Sequence, residues 1–389
     1  MNTQNTPVHI KLWHRDFWLL VVANLLLTMS VYVLLPVVPQ WLMQTENFSP
    51  QETGLSMGAF GLGLYLLGSM VSWLVQRYRR NQVCLWAIVA VALDVALLWY
   101  IDGLRSEFVE FRVILLHRFA LGAAFGLAQM VLSSTLIIDT CESYQRTEAN
   151  HSAAWFARFA LSLGPLAGVL VYRYAGFDRV LWTAVGCTLL SILFIRQVDF
   201  PFRAPEEGVH AVSFDRFLLP HGFVLFANLL LVSTVMGLLF TLPLSAMFYG
   251  LMMVGFLLAL LAQRFVFRDA ELKSEVVSGL ILLVAALLIL LVYPHSPVAP
   301  VLVGLGMAII SARFLLFFIK LSRHCKRGTS QSTFFLGWET GVALGLALGY
   351  ATVYDQRALL LYTCLGFTAA ALLMYHLYTH AWFIRNKNR

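Results

Sequence analysis

The feature that most constrains this chain is the recurrence of apolar stretches long enough to cross a bilayer. A hydrocarbon core about 30 Å thick takes roughly 20 predominantly apolar residues of α-helix. Twelve stretches reach that length, near residues 17–42, 53–76, 83–101, 108–138, 147–173, 179–198, 217–240, 243–267, 274–293, 298–322, 329–353 and 356–383. Residues are 60% apolar and 12% charged, against ~45–50% and ~25% in soluble domains. A water-soluble globule cannot hide that excess, because its surface needs polar cover. The pattern therefore predicts an all-α, polytopic membrane protein and excludes a soluble enzyme, a disordered chain and a nucleic-acid binder. The first sixteen residues are polar, and the first span is too long and lacks a small-residue cleavage end. It is expected to be a retained helix. Cys84, Cys141, Cys187, Cys325 and Cys364 stand singly, which argues against a disulfide framework or a metal site.

Orientation follows from the basic residues of the loops. With the N-terminus in the cytoplasm, inner segments collect nineteen of the 27 Lys and Arg, among them Arg77, Arg79, Arg80, Arg264, Arg268, Lys273, Lys320, Arg323, Lys326 and Arg327. Outer loops hold five: Arg105, Arg112, Arg173, Arg179 and Arg357. Both termini are predicted to be cytoplasmic, in a bacterial inner membrane. The net charge of +7 is then a topology signal.

The longest polar interruption, Asp199 to Arg216 with Pro201, Pro205, Glu206 and Glu207, divides the helices six and six. Residues 1–198 and 217–389 are thus expected to be two six-helix bundles joined by a cytoplasmic linker at 199–216. Four correspondences support a duplication. A-N-L-L-L occurs at Ala23–Leu27 and Ala227–Leu231, and L-V-Q-R-Y at Leu74–Tyr78 answers L-A-Q-R-F at Leu261–Phe265. Arg118-Phe119 answers Arg313-Phe314, and the ladder Ala160, Gly164, Gly168 answers Gly341, Gly345, Gly349. Transporters are often built from such repeats.

Across its whole length the chain resembles the major facilitator superfamily (MFS). Ser72 to Asn81 reads S-W-L-V-Q-R-Y-R-R-N, similar to the family's G-x-L-A-D-R-x-G-R-R loop between helices 2 and 3. The resemblance assigns gating to Gln76, Arg77 and Arg80, with Gln76 in place of the family's acid. Leu35–Pro39 resembles L-P-x-x-P, and Arg118–Gly122 resembles R-x-x-x-G of helix 4. Gly164-Pro165-Leu166-Ala167-Gly168 is similar to the G-P-x-x-G-G of proton-coupled exporters, with Val169 for the last Gly. The resemblance implies the twelve-helix MFS fold, helices 1 and 7 lining a cavity, and helices 2 and 11 meeting across the two halves.

Gly337, Gly341, Gly345 and Gly349 form a G-x-x-x-G ladder, and Gly54, Gly58, Gly61 and Gly68 a looser set. Such ladders allow close packing of membrane helices; here they also suit a sliding surface between rocking halves. Gly164, Pro165, Gly168, Gly341 and Gly345 are the conformational candidates.

Each charge inside the membrane costs about 2.5–3.5 kcal/mol on the insertion scale and rarely faces lipid. Four are deep: Arg118, Arg158, Arg313 and Glu339. Arg118, Gly122, Phe125, Gln129 and Ser133 share one helix face, the stripe expected of a cavity-lining helix. The alternative is an arginine paired inside its own half. Arg313 carries the same two readings. Arg158 and Glu339 each lie two residues before a ladder position, so they point away from it. Glu339 is the first candidate for a coupling proton, since a buried carboxylate can take up and release one; Asp94 in helix 3 is the second. A static salt bridge is the competing reading for each. Asn24 and Asn228 at matched positions either contact substrate or lock helix packing. Trp13, Trp18, Trp41, Trp99 and Trp382 fit interfacial anchors, while Phe334, Phe335 and Trp338 lie deeper and can stack on a hydrophobic substrate.

H-E-x-x-H, C-x-x-C and G-x-x-x-x-G-K-[ST] are absent, so no cofactor and no enzymatic activity is expected. The resemblance implies a monomeric secondary active transporter working by alternating access, with a small-molecule substrate, a proton or other coupling ion and the bilayer as partners. Its expected form is proton-coupled efflux of amphipathic compounds. The alternatives are proton-coupled import of a sugar or small anion, and a non-transporting sensor or scaffold, which the altered helix 2–3 loop keeps open.

Overall fold

A computed structural model describes residues 11–103, 110–142, 144–200, 210–266, 271–323 and 326–387. Arg105, Arg268, Cys325, Arg389 and the Pro201–Glu207 part of the linker lie outside the described residues. Among those described, twelve helices are long and apolar enough to cross a membrane: α1 (Arg15–Tyr32), α2 (Pro50–Arg77), α3 (Arg80–Gly103), α4 (Phe111–Asp139), α5 (Arg146–Ala175), α6 (Phe177–Arg196), α7 (Pro220–Leu239), α8 (Ala246–Phe265), α9 (Leu272–Val292), α10 (Val298–Leu321), α11 (Arg327–Val353) and α12 (Arg357–Asn386). Their order matches the twelve apolar stretches.

Local chemistry sets the ends. Ser49 and Glu52 form a capping box at α2, with Pro50 in the first turn, where its missing N–H costs nothing. Ser245 caps α8 through the Phe248 N–H. Helix 1 is shorter than its apolar run. Pro36 cannot donate to the preceding turn, so α1 ends at Tyr32 and the chain re-forms a short helix at Val38–Gln44. Helix 2 is interrupted by a 3-10 turn at Gly68–Met70, and α4 by a π-turn at Leu132–Leu136.

Small residues fix which helices touch, and they do so alike in the two halves. A Cβ added at Gly122 of α4 would lie 2.1 Å from the Phe60 carbonyl and 3.2 Å from Gly63 Cα of α2. In the second half a Cβ at Gly304 of α10 would lie 2.1 Å from the Met252 carbonyl and 3.2 Å from Gly255 Cα of α8. Gly122 is therefore the structural mate of Gly304. This corrects the Arg118–Arg313 correspondence, since Arg118 lies 7 residues after Phe111 (118 − 111) and Arg313 lies 15 after Val298 (313 − 298). The two arginines share a neighbouring Phe but sit at different depths.

The glycine ladders also face other partners than expected. Gly341 and Gly345 of α11 pack on Ser233, Thr234 and Gly237 of α7, inside the second half, just as Gly164 and Gly168 of α5 pack on Tyr32 and Val33 at the end of α1. Helices 2 and 11 do meet across the halves, but through Gly54, Gly58 and Gly61 against Ala343, Ala347 and Ala351. Gly68 packs instead on the Phe217 ring. Helix 11 thus buries its glycine stripe inward and offers an alanine stripe to α2. The halves also meet where α5 packs on α8 and α10 and where α4 meets α11; at the first of these Ser162 Oγ donates to the Tyr249 carbonyl.

Candidate functional site

Between the halves lies a cavity of about 40 Å³, walled by Thr28 and Tyr32 of α1, Gln129 of α4, Ala154, Ala157, Arg158 and Leu161 of α5, and Gln331, Phe334, Phe335, Trp338 and Glu339 of α11. Six residues singled out in the sequence meet here: Gln129, Arg158, Phe334, Phe335, Trp338 and Glu339. Tyr32 Oη donates to Glu339 Oε1 at 2.9 Å, with both side chains almost fully buried, so α1 and α11 are joined across the halves by a hydrogen bond to a carboxylate. Arg158 Nη2 donates to the Ser311 carbonyl of α10 at 3.1 Å. Its guanidinium carbon lies 5.1 Å from the Trp155 ring centroid and 5.8 Å from that of Phe334. Arg158 and Glu339 form no ion pair with each other.

The asparagines act in packing. Gln129 Nε2 donates to Asn24 Oδ1 at 2.6 Å, and Asn24 Nδ2 donates to the Ala153 carbonyl. Asn24 therefore stands behind the cavity wall and positions Gln129. Asn228 donates to the Ala371 carbonyl at 3.1 Å and to Thr379 Oγ1, tying α7 to α12 away from the cavity.

Arg118 does not line this cavity. Its guanidinium carbon sits 5.5 Å above the Phe60 ring, between α2 and α4, and the side chain is 1% exposed. The stripe below it is consumed by packing: Gly122 meets the α2 backbone, and Phe125 bridges Phe60 and Phe335. Only Gln129 emerges into the cavity. Asp94 also stays within the first half, 3.1 Å from His117 Nε2. Arg313 pairs with Glu275 of α9, whose side chain is 1% exposed. The second half thus buries two acids, Glu275 and Glu339, among the described residues. Glu275 was legible only as an acid in the first turn of a helix, with no sign that Arg313 would bury it.

Contacts close the cavity on both sides. Toward the end carrying the chain termini, a Cβ on Gly328 of α11 would lie 2.7 Å from the Ser134 carbonyl of α4. Nearby, Asp215 accepts from Ser72 Oγ at 3.3 Å and from Thr329 Oγ1 at 3.2 Å, while Arg216 Nη1 donates to Thr135 Oγ1 at 3.4 Å. Toward the opposite end, Tyr32 and Phe240 stack edge to face. Beyond them opens a second cavity of about 270 Å³, bordered by Gln40 and Gln44 of the first half and Tyr350, Gln356 and Arg357 of the second.

The sequence matches the family model of the Major Facilitator Superfamily over residues 20–346. The chain belongs to the major facilitator superfamily. Solved structures with this fold include the POT family transporter PepTSo, with a TM-score of 0.69, 12% identity, and coverage of 96% of this chain and 99% of that one. The human organic anion transporter MFSD10 aligns with a TM-score of 0.64 and 17% identity over 93% of this chain and 99% of its own. A bacterial homologue of the iron transporter ferroportin, in an outward-facing state, aligns with 0.65 and 16% over 94% and 100%. At these identities the likeness is one of fold. No curated protein matches the chain.

In this MFS protein the segment joining α2 to α3 carries Gln76 where the family's loop pattern has an acid. Arg80 pairs with Asp139 at the end of α4. Gln76 Oε1 accepts from Ser72 Oγ at 3.5 Å, and the same hydroxyl reaches Asp215 of the linker. Trp41 is no interfacial anchor. It is 2% exposed, stacks on Phe177 at 4.8 Å and donates to Asp102 Oδ1 at 2.6 Å.

Proposed function

We propose that this chain is a secondary active transporter, a monomer that moves small amphipathic compounds by alternating access and uses the proton gradient through Glu339. The observation that carries the reading is the interface cavity in which Glu339 is held by Tyr32 of the opposite half. A group that both binds a proton and joins the two halves links protonation to their separation, which is what coupling demands. The closed cavity, about 40 Å³, is far smaller than the ~300–1,000 Å³ of ligand pockets. Substrate therefore enters only when the halves part. The glycine and alanine faces of α2 and α11 suit that movement, since neither carries a side chain long enough to interlock. The basic bias of the loops supports cytoplasmic termini in a bacterial inner membrane, and the G-P-x-x-G run of α5 supports export in exchange for protons. A second reading, import of a small anion with protons, is favoured by the cation Arg158 in the cavity wall.

The test is Glu339→Gln in proteoliposomes. We expect it to eliminate accumulation driven by a pH gradient and to preserve counterflow, which needs no net proton movement. If the variant still concentrates substrate while Asp94→Asn does not, coupling belongs to α3. A chain that moves no compound of a broad library in either direction overturns the transporter reading in favour of a sensor.

A further inference from the structure

Arg158 is a buried cation whose charge is uncompensated. It is 4% exposed, yet Nε and Nη1 have no hydrogen-bond partner, and its one polar contact is the neutral Ser311 carbonyl. None of the ion pairs among the described residues includes it. Arg313, by contrast, has Glu275. A charge withdrawn from water without a counter-ion is among the most costly arrangements a protein maintains. Two aromatic faces, Trp155 and Phe334, offset part of that cost, but a ring quadrupole leaves the N–H donors unsatisfied. Those donors belong to a residue of the cavity wall, opposite Phe335 and Trp338.

Resting on the reading of this cavity as the substrate site, we infer that the substrate is a small organic anion with an aromatic or otherwise planar apolar body. Its anionic group completes the hydrogen bonding of Arg158, and its body lies against Phe334, Phe335 and Trp338. The wall supplies one cationic group, and its Thr28, Tyr32 and Gln129 donors are already engaged within the protein, which suits a single carboxylate better than a polyhydroxylated or multiply charged compound. The only carboxylate in the same wall, Glu339, is engaged by Tyr32. A cationic substrate would meet the charge of Arg158 and have to compete with Tyr32 for Glu339, so the site also discriminates against amines.

The test is equilibrium binding to the purified full-length chain in nanodiscs, with no proton gradient. Radiolabelled benzoate, 1-naphthoate and indole-3-acetate are each compared with the corresponding amide and with benzylamine. At least one acid should bind tenfold or more tightly than its amide, and benzylamine should not compete. Arg158→Gln should weaken that acid at least tenfold while leaving amide binding unchanged, and Arg158→Lys should fall between, because it keeps the charge without the planar fork. Removal of an unpaired buried charge is expected to leave the melting temperature equal or higher, which shows that Arg158→Gln is folded. Acids and amides binding alike, no binding by any acid, or full acid binding by folded Arg158→Gln would each overturn the inference. Failure here with Glu339→Gln still abolishing gradient-driven accumulation removes the substrate class and leaves the transporter reading intact; absence of any transport removes that reading itself.

Discussion

Tyr32→Phe removes one oxygen and with it the bond that joins α1 to α11 through Glu339. The donor–acceptor distance is 2.9 Å, Tyr32 is 1% exposed and Glu339 5%, so water does not replace the bond while the cavity is closed. A hydrogen bond to a charged group contributes about 1.5–3 kcal/mol, and one between neutral groups about 0.5–1.5 kcal/mol. When the halves part, both groups meet water and the contribution is lost from the wild type as well. The substitution therefore shifts the closed-to-open equilibrium by the bond's net worth. At about 1.4 kcal/mol per tenfold, the open population rises roughly 10- to 150-fold with Glu339 ionised, and roughly 2- to 10-fold with it neutral. Spin-label distances measure this. Pairs at Gln44 and Gln356 report on one end, and at Tyr78 and Arg323 on the other, in a background with the five cysteines replaced. Tyr32→Phe should enlarge the long-distance component at one end, and in a Glu339→Gln background, where the bond runs to a neutral carbonyl, its effect should fall to roughly 2- to 10-fold. Distance distributions identical to the wild type at both ends, in a variant that is folded, would refute the argument that this bond holds the halves together.

Three further substitutions separate movement from folding. Gly61→Leu places side chain where a Cβ alone already lies 2.7 Å from Ala343 Cβ; counterflow should drop at least tenfold while the melting temperature stays within a few degrees. Gly345→Ala puts its methyl 2.2 Å from the Thr234 carbonyl inside the second half, so the cost falls on folding, about 1–3 kcal/mol, read as a lower melting temperature. Glu275→Gln leaves Arg313 facing a neutral amide and should destabilise by about 2–3 kcal/mol, less than a fully buried pair because the Arg313 side chain keeps 16% exposure; replacing both residues by apolar ones should recover most of the loss.

The helices were legible because each must satisfy its own backbone in lipid and needs a fixed length of apolar chain to do so. The spans agree within a few residues except at helix 1, where the break before Pro36 was written in the residue itself but hidden by the apolar run around it. The Arg118–Arg313 correspondence read from the sequence was not real. Arg118-Phe119 and Arg313-Phe314 are a dipeptide coincidence, whereas the true mates, Gly122 and Gly304, have little in common as sequence because a glycine among apolar residues carries no signature. Only the close approach of backbone to backbone distinguishes them.

Which buried charges serve the site was harder to read, and the reason is geometric. A polar stripe on one helix states that its face is not toward lipid; it does not say whether a cavity or another helix lies there. For Arg118 the answer was another helix, because Gly122, four residues on, draws α2 so close that no space is left beneath the guanidinium. Arg158 also lies six residues before a glycine, Gly164, but that glycine draws in α1 while the charge two residues before Ala160 turns toward α10 and α11. The same ladder argument placed Glu339 opposite its glycines, and there it held, because the glycine face was taken by α7 and left the other face for Tyr32. Angular separation from a packing stripe was thus the better guide to the cavity, and depth and stripe polarity the poorer. A close-packed glycine face forbids a cavity on its own side and thereby selects the residues that can border one on the other.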